Sequence, residues 1–291
     1  MELGIILLSM EEHEDALKVF QRALKLRREE REDIYGEDDM DECNLKIAKV
    51  LNNIGCVNFE KGDMEAAGRS FDEAIALQDG VFKNFVTMVC GVDSNSPGIL
   101  TMASTMCNKG YVEIHLGNFT SAVTIFNDSL QIQKSILGSG NKLVQSSLDN
   151  VGYAYAMINQ FPKALEAYNE IWSHLSITHE VTEEKVEMLR KKIICHIQLK
   201  QFQAALDHLR ILEELQDEIG ESGDEMDRTH RLMGEVNYEI LRLPSLSDAT
   251  NRALGCAVCI GPEEEGVNLD SWIIEKPDNT SKMSGHRVTH A

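Results

Sequence analysis

The amino-acid sequence predicts an all-α fold, built as a right-handed superhelical solenoid of antiparallel helix pairs. Three observations support this prediction. Apolar side chains recur every three or four residues, the spacing of one face of an α-helix. Only 5 prolines occur among 291 residues, and no long alternation of Val, Ile, Thr and Tyr indicates strands. One helix-pair pattern also returns several times along the chain.

The repeated pattern is clearest in residues 52–75, "NNIGCVNFEKGDMEAAGRSFDEAI". It returns at 108–129 and 150–171, continues in register at 192–212, and begins upstream at 3–23. A degenerate sixth copy starts at Met233. The spacings between equivalent small-residue positions are 51, 55, 42, 41 and 41 residues, measured along Gly4, Gly55, Gly110, Gly152, Ile193 and Gly234. Because one helix pair cannot cover its own apolar face, the copies must stack as a solenoid.

Each element of a copy has a sequence signal, shown best by the second copy. The apolar stripe of its first helix is Ile47, Val50, Leu51, Ile54 and Val57, and that of its second is Met64, Ala67, Phe71, Ala74 and Ile75. Gly55 and Ala67 allow the helices to approach, and Phe71 fills the space beside them. Asp63 and Asn118 stand where helix N-caps belong. The predicted C-cap glycines are Gly36, Gly91, Gly138 and Gly220.

These signals define the predicted domain organisation. Residues 1–257 form about six helix-pair repeats, of which the first is truncated and the sixth is degenerate. Residues 258–291 lose the helical periodicity and are expected to be a mostly disordered acidic tail.

Composition limits the partners. The formal net charge is −20, from 28 basic and 48 acidic residues, so phosphate backbones and anionic lipid surfaces would repel the chain. We therefore expect no nucleic-acid and no membrane partner, and no run approaches the ~18 apolar residues of a membrane span. The 7 cysteines are odd in number and lack a framework spacing. They indicate reduced thiols in a cytosolic or nuclear compartment, of which we expect the cytoplasm.

The Gly, aromatic, Ala and Phe positions of these copies resemble those of the tetratricopeptide repeat (TPR). The period near 42 and the helix endings "IYGEDD", "ILGSGN" and "EIGESGD" resemble the kinesin-light-chain variety. The resemblance implies a right-handed helical solenoid that binds a protein segment in a concave groove. It also departs from kinesin light chains, because no heptad coiled coil precedes the repeats, which leaves attachment to a motor open.

Candidate catalytic and metal motifs are weak. Cys256 and Cys259 form a single CxxC without a second pair at zinc-binding spacing. "GSGNK" at 138–142 lacks the spacing of a phosphate loop, and the acidic run 29–42 lacks the ligand pattern of a calcium loop. The 9 histidines form no tight cluster. We therefore predict no enzymatic activity, no metal and no cofactor.

The candidate binding residues lie on the free face of each first helix. They are Lys49, Asn52, Asn53, Asn108, Tyr111, His115, Asn150, Tyr153, Arg190, Lys191, Arg228 and Arg231, with Glu60, Ser104, Ser146 and Asp149 beside them. Asn53, Asn108 and Asn150 occupy one equivalent position, and an amide can both donate to and accept from a peptide backbone. In the resembled family, asparagines at this position bind peptides. The alternative is that they only cap or solvate the helix.

The leading functional hypothesis is a non-catalytic adaptor that holds a segment of a partner protein. The alternatives are the regulatory or sensory repeat region of a larger signalling ATPase or other enzyme, and a purely structural spacer. The first repeat is expected to mediate self-association through an uncovered apolar face. The tail segment "LDSWIIE" (269–275) resembles the tryptophan-acidic peptides that kinesin-light-chain repeats bind. Its Trp272, flanked by Asp270 and Glu275, could occupy the chain's own groove, pack as a cap, or remain disordered.

Overall fold

The computed structural model describes residues 1–82, 97–178, 180–221 and 223–242. In these ranges the chain forms eleven α-helices and no strand, which confirms the all-α prediction. The helices are α1 Glu2–Ser9, α2 His13–Glu32, α3 Glu37–Glu60, α4 Met64–Phe82, α5 Pro97–His115, α6 Phe119–Leu137, α7 Lys142–Met157, α8 Phe161–Leu175, α9 Glu183–Gln198, α10 Phe202–Ile219 and α11 Gly223–Arg242.

The chain divides into two compact units. Unit 1 contains Met1–Ile158 and therefore α1 to α7, and unit 2 begins at Asn159 and contains α8 to α11. In unit 1 each helix packs against the next one, and α3 also contacts α5. First helices of successive repeats are thus neighbours. In unit 2, α9 packs against both α8 and α10, and α10 packs against α11.

Phenylalanines of the second helices form the centre of the repeats in unit 1. Phe20, Phe71 and Phe126 are each completely buried. Each ring lies against a glycine of its own first helix, so that a Cβ added at Gly110 would lie 2.5 Å from Cε1 of Phe126. The predicted small positions therefore receive an aromatic ring, rather than the backbone of the facing helix.

Buried polar side chains join successive repeats in register. In unit 1, the hydroxyl of Ser147 on α7 donates to Oε1 of Gln133 on α6 at 2.6 Å. In unit 2, the hydroxyl of Thr229 on α11 donates to Oε1 of Gln216 on α10 at 2.8 Å. Both glutamines are at most 1% exposed. Because a buried amide needs partners, each pair favours one alignment of the two helices that it joins.

The helix caps follow the sequence in part. Gly138 and Gly220 end α6 and α10 with positive φ angles of 74° and 68°, as predicted. The prediction for Gly36 is wrong, because α2 already ends at Glu32 and Gly36 is instead the N-cap of α3 with extended backbone. Gly91 lies outside the described residues.

The two predicted N-caps behave differently. Oδ1 of Asp63 accepts the backbone N–H of Ala66 at 2.9 Å, so this aspartate caps α4. Asn118 holds the N-cap position of α6, but its side chain donates to Glu113 instead. Position alone therefore did not determine which side chain would cap its helix.

Within the described ranges, no helix combines the length and apolar character needed to cross a bilayer. The predicted boundary at residue 257 and the tail 258–291 lie outside the described residues, and both remain predictions.

Candidate peptide-binding face

Asparagines and a tyrosine connect the first helices of unit 1. Nδ2 of Asn108 on α5 donates to Oδ1 of Asn52 on α3 at 3.0 Å. Nδ2 of Asn150 on α7 donates to the hydroxyl oxygen of Tyr111 on α5 at 2.8 Å. We call Asn52, Asn53, Asn108, Tyr111 and Asn150 the asparagine ladder. Sequence periodicity placed them on a common face, but it did not reveal the hydrogen bonds between repeats.

The asparagine ladder is buried, whereas the sequence suggested a solvent-open face. Asn108 is 0% exposed and Asn150 is 1% exposed, and Tyr111 lies edge-on to Phe126 with 5.6 Å between ring centroids. Three ladder atoms have no hydrogen-bond partner among the described residues: Nδ2 of Asn53, Oδ1 of Asn108 and Oδ1 of Asn150. A buried polar atom without a partner costs about 1–3 kcal/mol, so each atom is a favourable place for an added donor or acceptor.

A more accessible row lies one helical turn from the ladder. Lys49, Ser104 and Ser146 are half-buried and precede Asn53, Asn108 and Asn150 by four residues each. Residues four apart share a helix face, so this row adjoins the ladder.

The other predicted binding residues of unit 1 differ in how exposed they are. His115 is exposed, and its ring lies edge-on to Phe59 with 4.9 Å between the ring centroids. Tyr153 is 2% exposed, and burial raises the pKa of its hydroxyl. Asp149 is buried and Glu60 is half-buried.

Four of the predicted cationic residues lie in unit 2, and acidic side chains pair with three of them. Nη2 of Arg190 donates to Glu221 at 2.7 Å and to Glu225 at 3.2 Å. Arg228 pairs with the same Glu225 at 2.6 Å. These ion pairs reduce the positive potential that the sequence suggested for this part of the chain.

The other two predicted cations of unit 2, Lys191 and Arg231, also have partners. Lys191 is 8% exposed and lies 3.6 Å from a carboxylate oxygen of Glu187. Nε of Arg231 donates to the backbone carbonyl of Asp227 at 3.3 Å. Sequence reasoning passed over the adjacent Lys192, which is buried and has no carboxylate partner in the described part of the chain.

The candidate phosphate-loop and metal-binding motifs of the sequence have other roles or lie outside the described residues. "GSGNK" forms the connection between α6 and α7, where Oδ1 of Asn141 accepts the backbone N–H of Leu143 at 2.9 Å. Among the described residues, no group of three or more His, Cys, Asp or Glu side chains could hold a metal ion. Cys256 and Cys259 lie outside the described residues.

The fold and this face define a class: an all-α protein of stacked helix pairs with a polar first-helix face. Family models described as tetratricopeptide repeat match residues 101–171 in one case, and residues 1–30 and 48–80 in another. These segments therefore match the tetratricopeptide repeat, and the resemblance seen in the sequence is confirmed.

Solved structures support the same fold. Nearly identical TPR-like repeats of kinesin-light-chain type from Podosopora anserina match with a TM-score of 0.58 and 13% identity, over 76% of this chain and 95% of that chain. BtubC (BKLC) from P. vanneervenii matches with a TM-score of 0.58 and 13% identity, over 76% of this chain and 79% of that chain. At this identity the likeness shows the fold alone. No curated protein sequence matches the chain.

Proposed function

We propose that the protein is a non-catalytic adaptor that binds an extended segment of a partner protein along the first helices of unit 1. Tetratricopeptide repeats generally mediate protein–protein interaction, which is the coarse function that the family match supports. The observation that carries the finer proposal is the asparagine ladder with its three unpartnered amide atoms.

The unpartnered atoms match the needs of a peptide backbone. Oδ1 of Asn108 and Oδ1 of Asn150 could each accept a backbone N–H, and Nδ2 of Asn53 could donate to a backbone carbonyl. Rotation of these side chains toward the accessible row of Lys49 and Ser104 would bring the amides to the bound segment. Since backbone groups are common to all sequences, the ladder would supply affinity, and the surrounding side chains would supply selectivity.

The test is selection of peptides from a random peptide display library against the full chain, followed by affinity measurement by calorimetry. We expect enriched peptides to bind, and the triple variant Asn53→Ala, Asn108→Ala, Asn150→Ala to weaken them at least about tenfold, since each lost amide contact contributes roughly 0.5–1.5 kcal/mol.

The matched control is a triple variant that also removes three amides, Gln21→Ala, Gln131→Ala and Asn169→Ala. All three side chains are exposed and belong to second helices, so peptide affinity should be unchanged. Circular dichroism at each temperature of measurement verifies that both triple variants are folded. Equal peptide affinity of the ladder variant and the wild-type protein, or no enriched peptide, would contradict the proposal.

We also propose a cytoplasmic location. Its support is that Cys43, Cys56, Cys107 and Cys195 are buried as thiols and not as disulfides, which suits a reducing compartment. Fractionation of cells that express the tagged chain tests this location, and recovery of the protein in the secreted fraction would contradict it.

The suggestion that the tail around Trp272 binds to the chain's own repeats remains a separate prediction, because the tail lies outside the described residues. Deletion of residues 262–291 should then tighten binding of a tryptophan-acidic peptide, and Trp272→Ala should have the same effect. Equal affinities for the full and shortened chains would exclude this autoinhibition.

A further inference from the structure

We propose that Lys192, His196 and His208 of unit 2 bind a phosphoryl group. We call these three side chains, together with Trp172, the basic cluster. The cluster belongs to α8, α9 and α10 and shares no residue with the asparagine ladder. The proposal is therefore independent of the proposed peptide binding, and either can fail without the other.

Lys192 is a buried cation that lacks a counter-ion. Its side chain is more than nine-tenths buried, and its residue exposure is only 4%. Its Nζ lies 5.1 Å from the centroid of the Trp172 ring, on which the ammonium rests by a cation–π contact. Within the described ranges, no carboxylate lies at ion-pair distance from this Nζ. A buried charge is normally paired, so a ligand anion is the natural complement to this ammonium.

The internal repeats show what is missing around Lys192. Lys109 occupies the equivalent position of the third copy, one residue before the small-residue position. Its Nζ is 2.8 Å from Asp72 on the preceding helix and 3.2 Å from Glu113, four residues later. Around Lys192 the position equivalent to Asp72 is occupied by Asn169, and the position equivalent to Glu113 is occupied by His196. Both negative partners of the lysine are thus replaced by neutral groups or potential cations.

The two histidines offer further donors at the same place. The rings of His196 and His208 have centroids 5.0 Å apart. Nδ1 of His208 lies 2.8 Å from the carbonyl oxygen of Ala204, and Nδ1 of His196 lies 2.8 Å from Oε1 of Gln201. Because both oxygens are acceptors, each Nδ1 carries its hydrogen, and each Nε2 is left to take a proton and donate to an anion.

The electrostatics favour an anion at the basic cluster. Burial lowers the pKa of the Lys192 ammonium to about 8. Burial also lowers the pKa of His196 and of His208, and the charge of Lys192 lowers both further. Asp207 acts in the opposite direction on His208 through its negative charge. An anion bound among the three nitrogens would raise all three pKa values, and binding would therefore take up protons.

A phosphoryl group fits this set of donors best. It carries a charge of about −1.5 to −2 at neutral pH and three strongly accepting oxygens. The cluster presents three nitrogens, of which one is already cationic and two can become so. A phosphorylated side chain of a protein segment and free inorganic phosphate share this chemistry, and the experiment separates them.

The experiment titrates the full chain with N-acetylphosphoserine and, separately, with inorganic phosphate, at constant ionic strength set with chloride. Proton NMR follows the ring signals of His196 and His208, which the variants His196→Gln and His208→Gln assign. We expect saturable shifts of both histidines. Affinity should fall about eightfold from about pH 7.5 to about pH 9, because an ammonium with a pKa of about 8 loses most of its protons over this interval.

Lys192→Gln should weaken binding roughly tenfold or more and remove its dependence on pH in this interval. Lys200→Gln is the control, since it removes one exposed positive charge from the same unit and should leave binding unchanged. If Lys192→Gln lowers the thermal midpoint strongly, His208→Gln provides the second test of lost affinity.

Tighter binding of phosphoserine than of inorganic phosphate identifies a phosphorylated segment as the ligand, and the reverse order identifies free phosphate. Shifts that do not saturate with either compound, or equal affinity of Lys192→Gln and the wild-type chain, overturn the proposal.

Discussion

At the scale of single residues, small side chains and one lysine show how strongly local packing constrains this chain. Gly110 and Phe126 belong to the same repeat, and the ring occupies the volume that a side chain on α5 would need. Gly80 is the opposite case, because among the described residues no atom beyond its own helix backbone and chain neighbours lies within 4 Å of its added Cβ. The same residue type therefore has a packing role at one position and none at the other.

Gly110→Ala should lower the free energy of unfolding by about 1–3 kcal/mol, because the methyl group overlaps the completely buried ring of Phe126. Urea unfolding followed by circular dichroism measures this change. Gly80→Ala serves as the control and should raise the stability by up to about 1 kcal/mol through helix propensity alone. Equal effects of the two substitutions would show that the ring can move away at little cost.

Lys192→Met should stabilise the protein at neutral pH by roughly 1 kcal/mol, since methionine fills a similar volume without a buried charge. Burial lowers the pKa of Lys192 in the folded protein to about 8, below its ordinary value of 10.5. Between these values the unfolded chain holds more protons, so the stability of the wild-type protein rises with pH and the advantage of the variant shrinks. Thermal unfolding from about pH 7 to about pH 10 measures this trend, and a destabilised Lys192→Met at neutral pH would contradict it.

At the scale of elements, the helices are specified by apolar spacing, and their alignment by buried polar pairs. The stripe of α3 is buried as predicted, from Ile47 at 1% to Val57 at 0% exposure. Gln133 and Ser147, by contrast, are polar and lie outside the apolar stripes, although Gln78 and Gln216 occupy the position of Gln133 in other copies. Gln133 and Ser147 favour one register of α6 and α7, because a shift of either helix would separate two buried groups that are hydrogen-bonded to each other.

Ser147→Ala should cost about 1–3 kcal/mol of unfolding free energy, because Oε1 of Gln133 loses the donor that lies 2.6 Å away in a buried site. The control Ser121→Ala removes an exposed hydroxyl from α6 and should change stability by less than about 0.5 kcal/mol. Chemical denaturation in parallel compares the two. Similar small effects for both variants would mean that Gln133 finds another partner.

At the scale of the whole molecule, net charge and exposed apolar side chains predict which partners the protein binds. The net charge of −20 opposes binding to nucleic acid and to anionic lipid, so peptides and proteins are the expected partners. One apolar surface stands apart from this acidic background. Leu3, Ile6 and Met10 are 58%, 54% and 65% exposed, and their spacing places them on one side of α1 and its end.

We propose that this apolar surface of α1 mediates self-association. Sedimentation velocity at increasing concentration should show growth of the average mass, and the double variant Leu3→Gln, Ile6→Gln should remain monomeric. Leu116→Gln with Ile177→Gln is the control, because these exposed apolar residues do not belong to α1 and should not affect association. A wild-type protein that stays monomeric at every concentration would exclude the proposal.

The helical class and the buried apolar stripe of α3 can both be derived from the sequence alone. These follow from periodicity, because a side chain that recurs every three or four residues must share a face with its neighbours. The asparagine ladder was predicted as a set of equivalent positions for the same reason. What the periodicity could not supply was the environment of each position.

The three-dimensional packing was needed to show that Asn108 and Asn150 are buried and hydrogen-bonded across repeats. It was also needed to show that Glu221 and Glu225 neutralise Arg190. The packing also distinguishes two neighbouring lysines of α9: Lys191 lies near the carboxylate of Glu187, whereas the Nζ of Lys192 lies over the ring of Trp172. The physical reason is that burial and pairing depend on residues far away in the chain. A one-dimensional pattern records which face a residue occupies, but the neighbouring helices determine whether that face offers water, a counter-ion or an unpartnered amide.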